Sequence, residues 1–342
     1  MNDSIKNMDY AEIQDWALDK GLKPFVGRQL FEWIFGKNVG SPGEMSNISL
    51  PVRTMVEKQG PFLLLELHDR RISHTDGSEK FLFRCRDGHK LETVLIPSAG
   101  RNTLCVSSQI GCAMGCGFCR TAEMGFVRDL SSGEIVEQFL TVKRISGKNI
   151  THVVFMGMGE PFNNYHAVLK AARILNHEKG PHIAARRITL STCGIVPRIR
   201  DLAHDPAQFK LAVSLNAASD EKRNMLMPVN RAYPLKELLA AVKYFTDTTH
   251  KLVTFEYVLM RDVNDGNEDA RLLAEKLRSI PCKLNIIPYN ETGGHFRRPD
   301  DARVALFISR LGDTHFPVTL RKSGGQDIAA ACGQLYAQEC KV

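Results

Sequence analysis

Three cysteines stand close together in the sequence, at Cys112, Cys116 and Cys119. The spacing C-x3-C-x2-C can place three thiolates on three corners of one [4Fe-4S] cube and leave the fourth iron without a protein ligand. That iron is free to bind a small chelating molecule, and the amino and carboxylate groups of S-adenosylmethionine (SAM) form such a chelate. The cysteine spacing therefore predicts an iron-sulfur cluster that binds SAM.

A structural zinc site is the alternative interpretation of the same cysteines. Structural zinc takes four ligands, which are commonly supplied as two cysteine pairs about 12 to 20 residues apart. The sequence holds no second pair of this kind, although Cys105 can supply a fourth thiol. On this alternative, the chain is a zinc-stabilised RNA-binding protein without a catalytic role.

Polar residues that can bind a cofactor follow several segments that the sequence predicts as strands. Gly159 and Glu160 follow the second strand of a βα series, where glycine lets the backbone approach a ligand and the carboxylate can accept from an ammonium group. Further polar groups lie where the third, fourth and sixth strands end, at Ser191, Ser214, Asn216 and Asn290. A turn or a helix cap explains each residue singly, but the set as a whole predicts a binding site.

The elements that position these residues begin after Asn102. Runs typical of strands alternate with amphipathic segments typical of helices, which is the pattern of an α/β fold with a parallel sheet. Six βα units and a last strand are too few for a complete barrel of eight units but suit a partial one, with its reactive groups at the carboxyl ends of the strands. The predicted strands are residues 103–109, 151–156, 187–191, 209–215, 252–260, 282–287 and 316–320.

Two other segments precede this series. Apolar residues at helical spacing predict two short helices between Tyr10 and Gly36, interrupted at residues 21–24. Short β-prone runs then predict a small antiparallel element. These runs are residues 62–67, 80–85 and 90–96. The resulting division is an N-terminal helical accessory domain at 1–60, a small antiparallel β extension at 61–97 and the α/β core at 98–342.

Composition and charge narrow the class of protein. The 342-residue chain has no charged and apolar leader and no apolar run long enough to cross a membrane, which predicts a cytoplasmic protein without a membrane partner. Its nine cysteines are therefore interpreted as metal ligands or reactive thiols rather than as a disulfide framework. The formal net charge of +7 favours a polyanionic partner such as nucleic acid.

The cysteine motif, with the aromatic Phe118 directly before its last cysteine, resembles the cluster motif of the radical SAM superfamily. Residues 102–111 and 325–335 resemble the RlmN/Cfr family of radical SAM RNA adenine methyltransferases, and the resemblance runs from about Tyr10 to Tyr336. It implies a partial (β/α)6 radical SAM barrel with an N-terminal helical accessory domain and a small antiparallel β element. It also implies a [4Fe-4S] cluster on the cysteine motif and two SAM molecules in each turnover.

The same resemblance implies SAM contacts at the ends of the strands. The matching positions are Gly159, Glu160, Ser191, Ser214, Leu215, Asn216 and Asn290. Three positions depart from the family pattern, because Asn216 stands in place of a histidine and Gln326 and Ala329 in place of acidic residues.

The resemblance further implies that two thiols and a carboxylate share the catalytic work. Cys332 takes a methyl group from one SAM, and a radical formed from a second SAM removes hydrogen from that S-methyl group. The resulting methylene radical adds to C2 of adenine and joins the enzyme to the RNA. Cys105 then attacks the bridging sulfur and forms a transient disulfide with Cys332, once Glu92 has removed the C2 proton.

The implied substrate is an adenine at the peptidyl transferase centre of 23S rRNA, with an anticodon-adjacent adenine of tRNA as a second candidate. The implied electron donor is an external protein such as a flavodoxin. A Cfr-like enzyme that methylates C8 is the alternative within the same chemistry, and the Gly159-Glu160-Pro161 sequence favours C2 methylation.

The remaining cysteines and the basic residues have weaker interpretations. Packing or surface thiols are predicted at Cys85, Cys193, Cys282 and Cys340. Basic pairs can line a phosphate-binding face, although such pairs are commonly solvated surface. They are Arg70-Arg71, Arg186-Arg187, Arg297-Arg298 and Arg321-Lys322. Trp16, Trp33 and Lys23 of the N-terminal helices can hold RNA, but aromatic residues in a helical pair are more often core.

Overall fold

The computed structural model of the chain describes residues 4–337. The first and last predicted domains extend beyond these residues, to residues 1–3 and 338–342. Cys340 therefore lies outside the described residues. In the described part, helices come first, antiparallel strands follow, and an alternating βα series completes the fold.

Three helices form the N-terminal part: α1 (Tyr10–Asp19), α2 (Pro24–Phe31) and α3 (Leu50–Gln59). Asp9 caps α1 by accepting from the backbone N–H of Glu12, whose side chain in turn accepts from the N–H of Asp9. Pro24 is the first residue of α2, and a π-helical turn, Glu32–Gly36, continues that helix. The two helices predicted before Gly36 are therefore confirmed.

The strands divide into an antiparallel group, a parallel group and a short hairpin. The antiparallel group is β1 (Leu65–Ile72), β2 (Glu79–Cys85) and β3 (Lys90–Ser98). The parallel group is β4 (Arg101–Cys105), β7 (His152–Phe155), β8 (Ile188–Thr192), β9 (Lys210–Ser214), β10 (Val253–Leu259), β11 (Cys282–Pro288) and β12 (Val318–Leu320). The hairpin is β5 (Gln109–Gly111) and β6 (Phe126–Asp129).

Helices connect the parallel strands. A short helix, α4 (Arg120–Glu123), follows the cysteine motif. The others are α5 (Ser132–Ser146), α6 (Tyr165–Asn176), α7 (Val196–Ala203), α8 (Asp220–Leu226), α9 (Leu235–Thr249), α10 (Asn267–Leu277) and α11 (Asp301–Arg310). Each strand predicted in the βα series overlaps one of the observed parallel strands, so six βα units and a last strand are confirmed.

The antiparallel and parallel strands belong to one sheet of ten strands, in the order β1-β2-β3-β4-β7-β8-β9-β10-β11-β12. The junction lies where β3 pairs antiparallel with β4, with Val94 opposite Cys105. The predicted β extension therefore continues the edge of the barrel sheet. Its first strand begins at Leu65 and ends at Ile72, later than predicted, because a register shift after Leu67 interrupts the alternation of apolar and polar residues.

The hairpin of β5 and β6 brackets the cysteine motif and was not predicted. Gly111 and Gly125 both have positive φ angles, and a Cβ atom on Gly111 would lie 1.8 Å from the oxygen of Gly125. Only glycine fits at this crossing of the two strands. The hairpin therefore holds the two ends of the cysteine motif together.

Successive residues of the parallel strands face opposite sides of the sheet. On β10, Phe255 and Tyr257 are fully buried, whereas Thr254, Glu256 and Val258 line cavities inside the barrel. The interior of the barrel thus carries the polar residues, and the other face of the sheet packs on apolar residues.

In the part of the chain that the structure describes, no helix is both long enough and apolar enough to cross a membrane.

Candidate active site

The barrel contains two neighbouring cavities. The first, which we call the cluster cavity, has a volume of about 160 Å³ and is lined by Cys112, Cys116 and Cys119 together with residues at the carboxyl ends of β7, β8 and β9. The second, the thiol cavity, has a volume of about 630 Å³ and is lined by Cys105 and by residues from the other end of the barrel. Four residues line both cavities: Met156, Glu256, Arg321 and Cys332.

Backbone hydrogen bonds hold the cysteine motif at the mouth of the cluster cavity. The N–H of Cys112 donates to the oxygen of Gly125 at 2.8 Å, and the N–H of Gly117 donates to the oxygen of Leu226 at 3.0 Å. Burial raises the pKa of Cys112 to about 11 and also raises the pKa values of Cys116 and Cys119. Bound iron reverses this preference, because a metal ion stabilises the thiolate.

The three thiols fit the ligand set of an iron-sulfur cube. Cys112, Cys116 and Cys119 all line one cavity, as the three protein ligands of one cube must. A fourth iron of such a cube has no ligand from the motif and is open to a chelating molecule.

Gly159 and Glu160 follow β7 and line the cluster cavity. Gly159 has a φ of +95°, and a Cβ atom there would lie 2.8 Å from the backbone nitrogen of Gln109, so glycine is required. The carboxylate of Glu160 accepts from the N–H groups of Phe162 at 2.9 Å and Cys193 at 2.7 Å. Burial raises the pKa of Glu160, and these donors oppose that shift. The carboxylate is therefore fixed at the cavity wall.

Ser191, Ser214 and Asn216 also line the cluster cavity, as expected from their positions at the carboxyl ends of β8 and β9. Asn216 has a φ of +57°, and its side-chain oxygen accepts from the N–H of Val258 at 2.9 Å. Leu215, a described residue of the predicted set, lies outside the cavity lining and is buried. Its oxygen accepts from the buried guanidinium of Arg223 at 3.1 Å, which ties the strand ends together.

Asn290, at the end of β11, lies outside the lining of both cavities among the described residues. Its side-chain nitrogen donates to Oγ of Ser323 at 2.9 Å and to the backbone oxygen of Cys332 at 3.1 Å. Its side-chain oxygen accepts from Nε2 of Gln326 at 3.1 Å. The amide thus connects the end of β11 to the segment that carries Cys332.

Cys105 and Cys332 both line the thiol cavity, although they are far apart in the sequence. Burial, and then the charge of Cys332, raises the pKa of Cys105 to about 12. The charge of the Cys332 thiolate, followed by those of Glu256 and Cys105, raises the pKa of Arg321. The guanidinium lines the same cavity as both thiols.

Glu92 is buried on β3 and contacts the same C-terminal segment. Its carboxylate lies 3.0 Å from Nζ of Lys80 and accepts from the N–H of Tyr336 at 2.9 Å. Among the described residues, Glu92 is outside the lining of both cavities. The structure therefore places Glu92 beside the Cys332 segment and not at the cavity wall.

Three residues of the site were not predicted from the sequence. Glu256 and Arg321 line both cavities, and Cys193, predicted to be a packing or surface thiol, is buried in the lining of the cluster cavity. A charged residue inside the apolar strand β10 was the available signal for Glu256. Arg321 stood in a basic pair, but the sequence does not show that it faces inward.

Two family models match the chain. The model of the Radical SAM superfamily matches residues 106–274, which contain the cysteine motif and most of the barrel. The model of the ribosomal RNA large subunit methyltransferase N-terminal domain matches residues 4–59, which contain the N-terminal helices.

Relatives match over nearly the whole chain. A probable dual-specificity RNA methyltransferase RlmN from Thermotoga neapolitana is 42% identical over 332 residues, 97% of this chain and 97% of the relative. A dual-specificity RNA methyltransferase RlmN from Syntrophobacter fumaroxidans is 43% identical over 98% of both chains. A crystal structure of a radical SAM methyltransferase from Sphaerobacter thermophilus has a TM-score of 0.93 at 41% identity and covers 98% of this chain and 99% of that one.

These matches agree with the cysteine motif and with the two cavities. The enzyme is a methyltransferase that uses a [4Fe-4S] cluster and SAM. The chain belongs to the RlmN family of radical SAM RNA methyltransferases.

Proposed function

We propose that this enzyme methylates C2 of an adenine in 23S rRNA, and an anticodon-adjacent adenine in tRNA, with Cys332 as the carrier of the methyl group. The observation that carries the proposal is that Cys332 lines both the cluster cavity and the thiol cavity. A methyl carrier needs access to the methyl donor on one side and to the substrate on the other.

The cluster cavity is the proposed site of the two cofactors. When bound there, the cluster and SAM supply the methyl group and the one-electron cleavage that starts radical chemistry. Cys112, Cys116 and Cys119 hold the cluster, and Glu160 accepts from the ammonium group of SAM. The other proposed SAM contacts are Gly159, Ser191, Ser214, Leu215, Asn216 and Asn290. Leu215 and Asn290 lie outside the cavity lining among the described residues, so their proposed effect on SAM is transmitted by neighbouring residues.

The thiol cavity is the proposed entrance for the target base. Positive side chains line it around His152: Arg101, Arg187, Lys210 and Lys322. Burial and the charges of Arg101, Arg187 and Lys210 lower the pKa of His152, which reflects how closely these groups are clustered. Phosphates of RNA bind such clusters, and an adenine extruded from the RNA can then enter the cavity.

The proposed roles of the other reactive groups follow from their places. After the adduct has lost one electron and its C2 proton, the Cys105 thiolate attacks the sulfur of Cys332 that joins enzyme and RNA. The S–S bond forms, the bond from that sulfur to the methylene carbon breaks, and its electron pair takes up a proton to complete the methyl group. An external dithiol reduces the Cys105–Cys332 disulfide before the next turnover. Glu92 accepts the proton lost from C2. This role is supported by its contact with Tyr336, in the segment that carries Cys332.

The division of the chain and its partners are also proposals. Residues 1–60 are proposed to hold RNA, residues 61–97 to extend the barrel sheet, and residues 98–342 to carry the catalysis.

Trp16 is buried and donates to Gln59, so surface side chains such as Lys23 are the better RNA contacts. An external electron donor such as a flavodoxin can approach the exposed Gly115 and Gly117 of the cysteine motif. The cytoplasm, which contains these RNAs, is the proposed compartment, without a membrane partner.

Anaerobically reconstituted enzyme tests the proposal directly. It is incubated with SAM, dithionite and rRNA or tRNA from cells that lack the modification, and the digested nucleosides are compared with 2-methyladenosine and 8-methyladenosine. We expect 2-methyladenosine. Formation of 8-methyladenosine would support the C8 alternative, and the absence of any methylated adenosine would overturn the proposal.

The covalent step has its own test. The Cys105→Ala variant is expected to accumulate a protein–RNA adduct under the same conditions, because the thiol that releases the product is absent. Cys282→Ala is the matched control, since Cys282 is also buried but lies outside the thiol cavity among the described residues. Full turnover by Cys105→Ala would refute the role of Cys105.

A further inference from the structure

Glu256 presents a carboxylate oxygen to the interior of the barrel. Its Oε1 atom accepts from Nδ2 of Asn285 at 3.0 Å, but Oε2 has no hydrogen-bond partner among residues 4–337. The side chain is only 7% exposed and lines both cavities. A buried acceptor without a donor is unfavourable unless a ligand supplies the donor. Oε2 therefore points to a ligand that carries an N–H or O–H group.

Arg321 lies beside this oxygen and supplies donors of its own. Its Nη1 atom is 3.6 Å from Oε2 of Glu256, which is beyond hydrogen-bond distance, and 3.9 Å from the sulfur of Met156. The guanidinium has five N–H groups, and it lines both cavities. Among the described residues, Arg321 is the one Lys or Arg that lines the cluster cavity.

We propose that Glu256 and Arg321 together recognise the Watson–Crick edge of the target adenine and present its C2 atom to Cys332. The inference rests on the proposed function. That edge carries, in order, the N6 amino group, the N1 acceptor and the C2–H group. Oε2 of Glu256 accepts from N6, a guanidinium N–H of Arg321 donates to N1, and C2 then faces the sulfur of Cys332. Enzymes that act on an extruded base commonly read it by this edge.

The three protein groups share one space, as the recognition of one base edge requires. Arg321 lies 3.6 Å from Oε2 of Glu256, and both side chains line the two cavities that Cys332 also lines. In the proposed arrangement the guanidinium lies between the carboxylate and the thiol. The donor to N1 also draws electron density from the neighbouring C2, which favours attack at that carbon.

The arrangement selects adenine over other bases. Guanine presents an oxygen at position 6 and an N–H at N1, so it places an acceptor against the carboxylate and a donor against the guanidinium. Sites that are built to hydrogen-bond a substrate group reject analogues that lack it. Glu256 and Arg321 are thus specificity-determining residues of the same reaction.

The test compares tRNA substrates that differ by one atom or group at the target position. Purine riboside lacks the N6 amino group, and 1-deazaadenosine replaces N1 by C–H. For the wild-type enzyme we expect kcat/KM to fall about ten- to hundredfold with each analogue, as for other hydrogen bonds to charged groups.

Each variant is expected to remove only one of these preferences. In Glu256→Gln, the amide oxygen remains on Asn285 and the NH2 group faces the cavity, so adenine loses its advantage over purine but keeps its advantage over 1-deazaadenine. In Arg321→Met, the adenine advantage over 1-deazaadenine disappears. Glu268→Gln is the matched control, because it makes the same change at an exposed carboxylate on α10, outside the lining of both cavities, and it should leave both ratios unchanged.

Three results would overturn the inference. They are equal use of adenine and purine by the wild-type enzyme, an unchanged adenine-to-purine ratio in Glu256→Gln, or a raised KM for SAM in that variant with unchanged base preference. The last result would assign Glu256 to SAM. Failure of the wild-type enzyme to form S-methyl-Cys332 or to methylate RNA would instead overturn the proposed function, and peptide mass spectrometry of Cys332 separates the two cases.

Discussion

The side-chain amide of Asn290 holds the backbone of Cys332, with a distance of 3.1 Å from Nδ2 to the carbonyl oxygen. The same nitrogen donates to Oγ of Ser323, so one residue at the end of β11 fixes two points of the C-terminal segment. The last part of the chain, which has little regular structure, thereby acquires a fixed place over the barrel.

We predict that Asn290→Ala slows methylation of Cys332 about tenfold, because the loss of three side-chain hydrogen bonds, to Ser323, Cys332 and Gln326, lets the thiol move away from SAM. The rate is measured by mass spectrometry of the peptide that contains Cys332, at saturating SAM and with the iron content verified. A normal rate at saturating SAM, combined with weaker SAM binding, would contradict this positioning role and would favour a direct SAM contact for Asn290.

We predict that Cys116→Ser prevents assembly of the [4Fe-4S] cluster, since serine is a poor iron ligand and two thiolates are too few to hold the cube. Reconstituted protein should lose its brown absorption and most of its bound iron and sulfide. Cys282→Ser is the matched control, because Cys282 is buried at the start of β11, away from the cluster cavity, in the described structure. Normal cluster content in Cys116→Ser would show that the cluster is held elsewhere.

We predict that alkylation of Cys105 by iodoacetamide accelerates about tenfold per pH unit between pH 7 and 9. Burial, followed by the charge of Cys332, raises the pKa of Cys105 to about 12, so the thiolate fraction rises with pH throughout this range. In Cys332→Ser the opposing charge is removed, the pKa of Cys105 falls, and alkylation at a given pH is faster. A plateau below pH 9 in the wild-type protein would be the contrary result.

We predict that Lys6→Met lowers the free energy of unfolding by about 3 to 5 kcal/mol, because the buried carboxylate of Glu137 loses its short ion pair and keeps only the longer one with Arg144, at 3.8 Å. Nζ of Lys6 lies 2.5 Å from Oε2 of Glu137 on α5, and both side chains are almost fully buried. Urea unfolding measures the change. Arg271→Ala, which removes exposed ion pairs with Glu268 and Glu275, serves as the control and should cost less than about 1 kcal/mol. A similar small loss in Lys6→Met would contradict the prediction.

Local patterns in the sequence were sufficient to predict the βα series and the end of the barrel where most of the candidate cofactor residues meet. The spacing of Cys112, Cys116 and Cys119 is a property of one short loop, and polar residues after parallel strands meet because those strands end at the same edge of the sheet. The predicted strands of the barrel and the two helices before Gly36 are confirmed for this reason. Residue types and their alternation already contain this information.

Only the tertiary structure decided which distant residues share a cavity. The sequence does not show that Cys105 and Cys332 face one space, that Arg321 lies beside Glu256, or that β3 pairs with β4 to join the antiparallel strands to the barrel. Such contacts depend on how strands and loops far apart in the chain pack together. Only the folded barrel shows that Arg321 lines its interior and that Oε2 of Glu256 has no hydrogen-bond partner among the described residues.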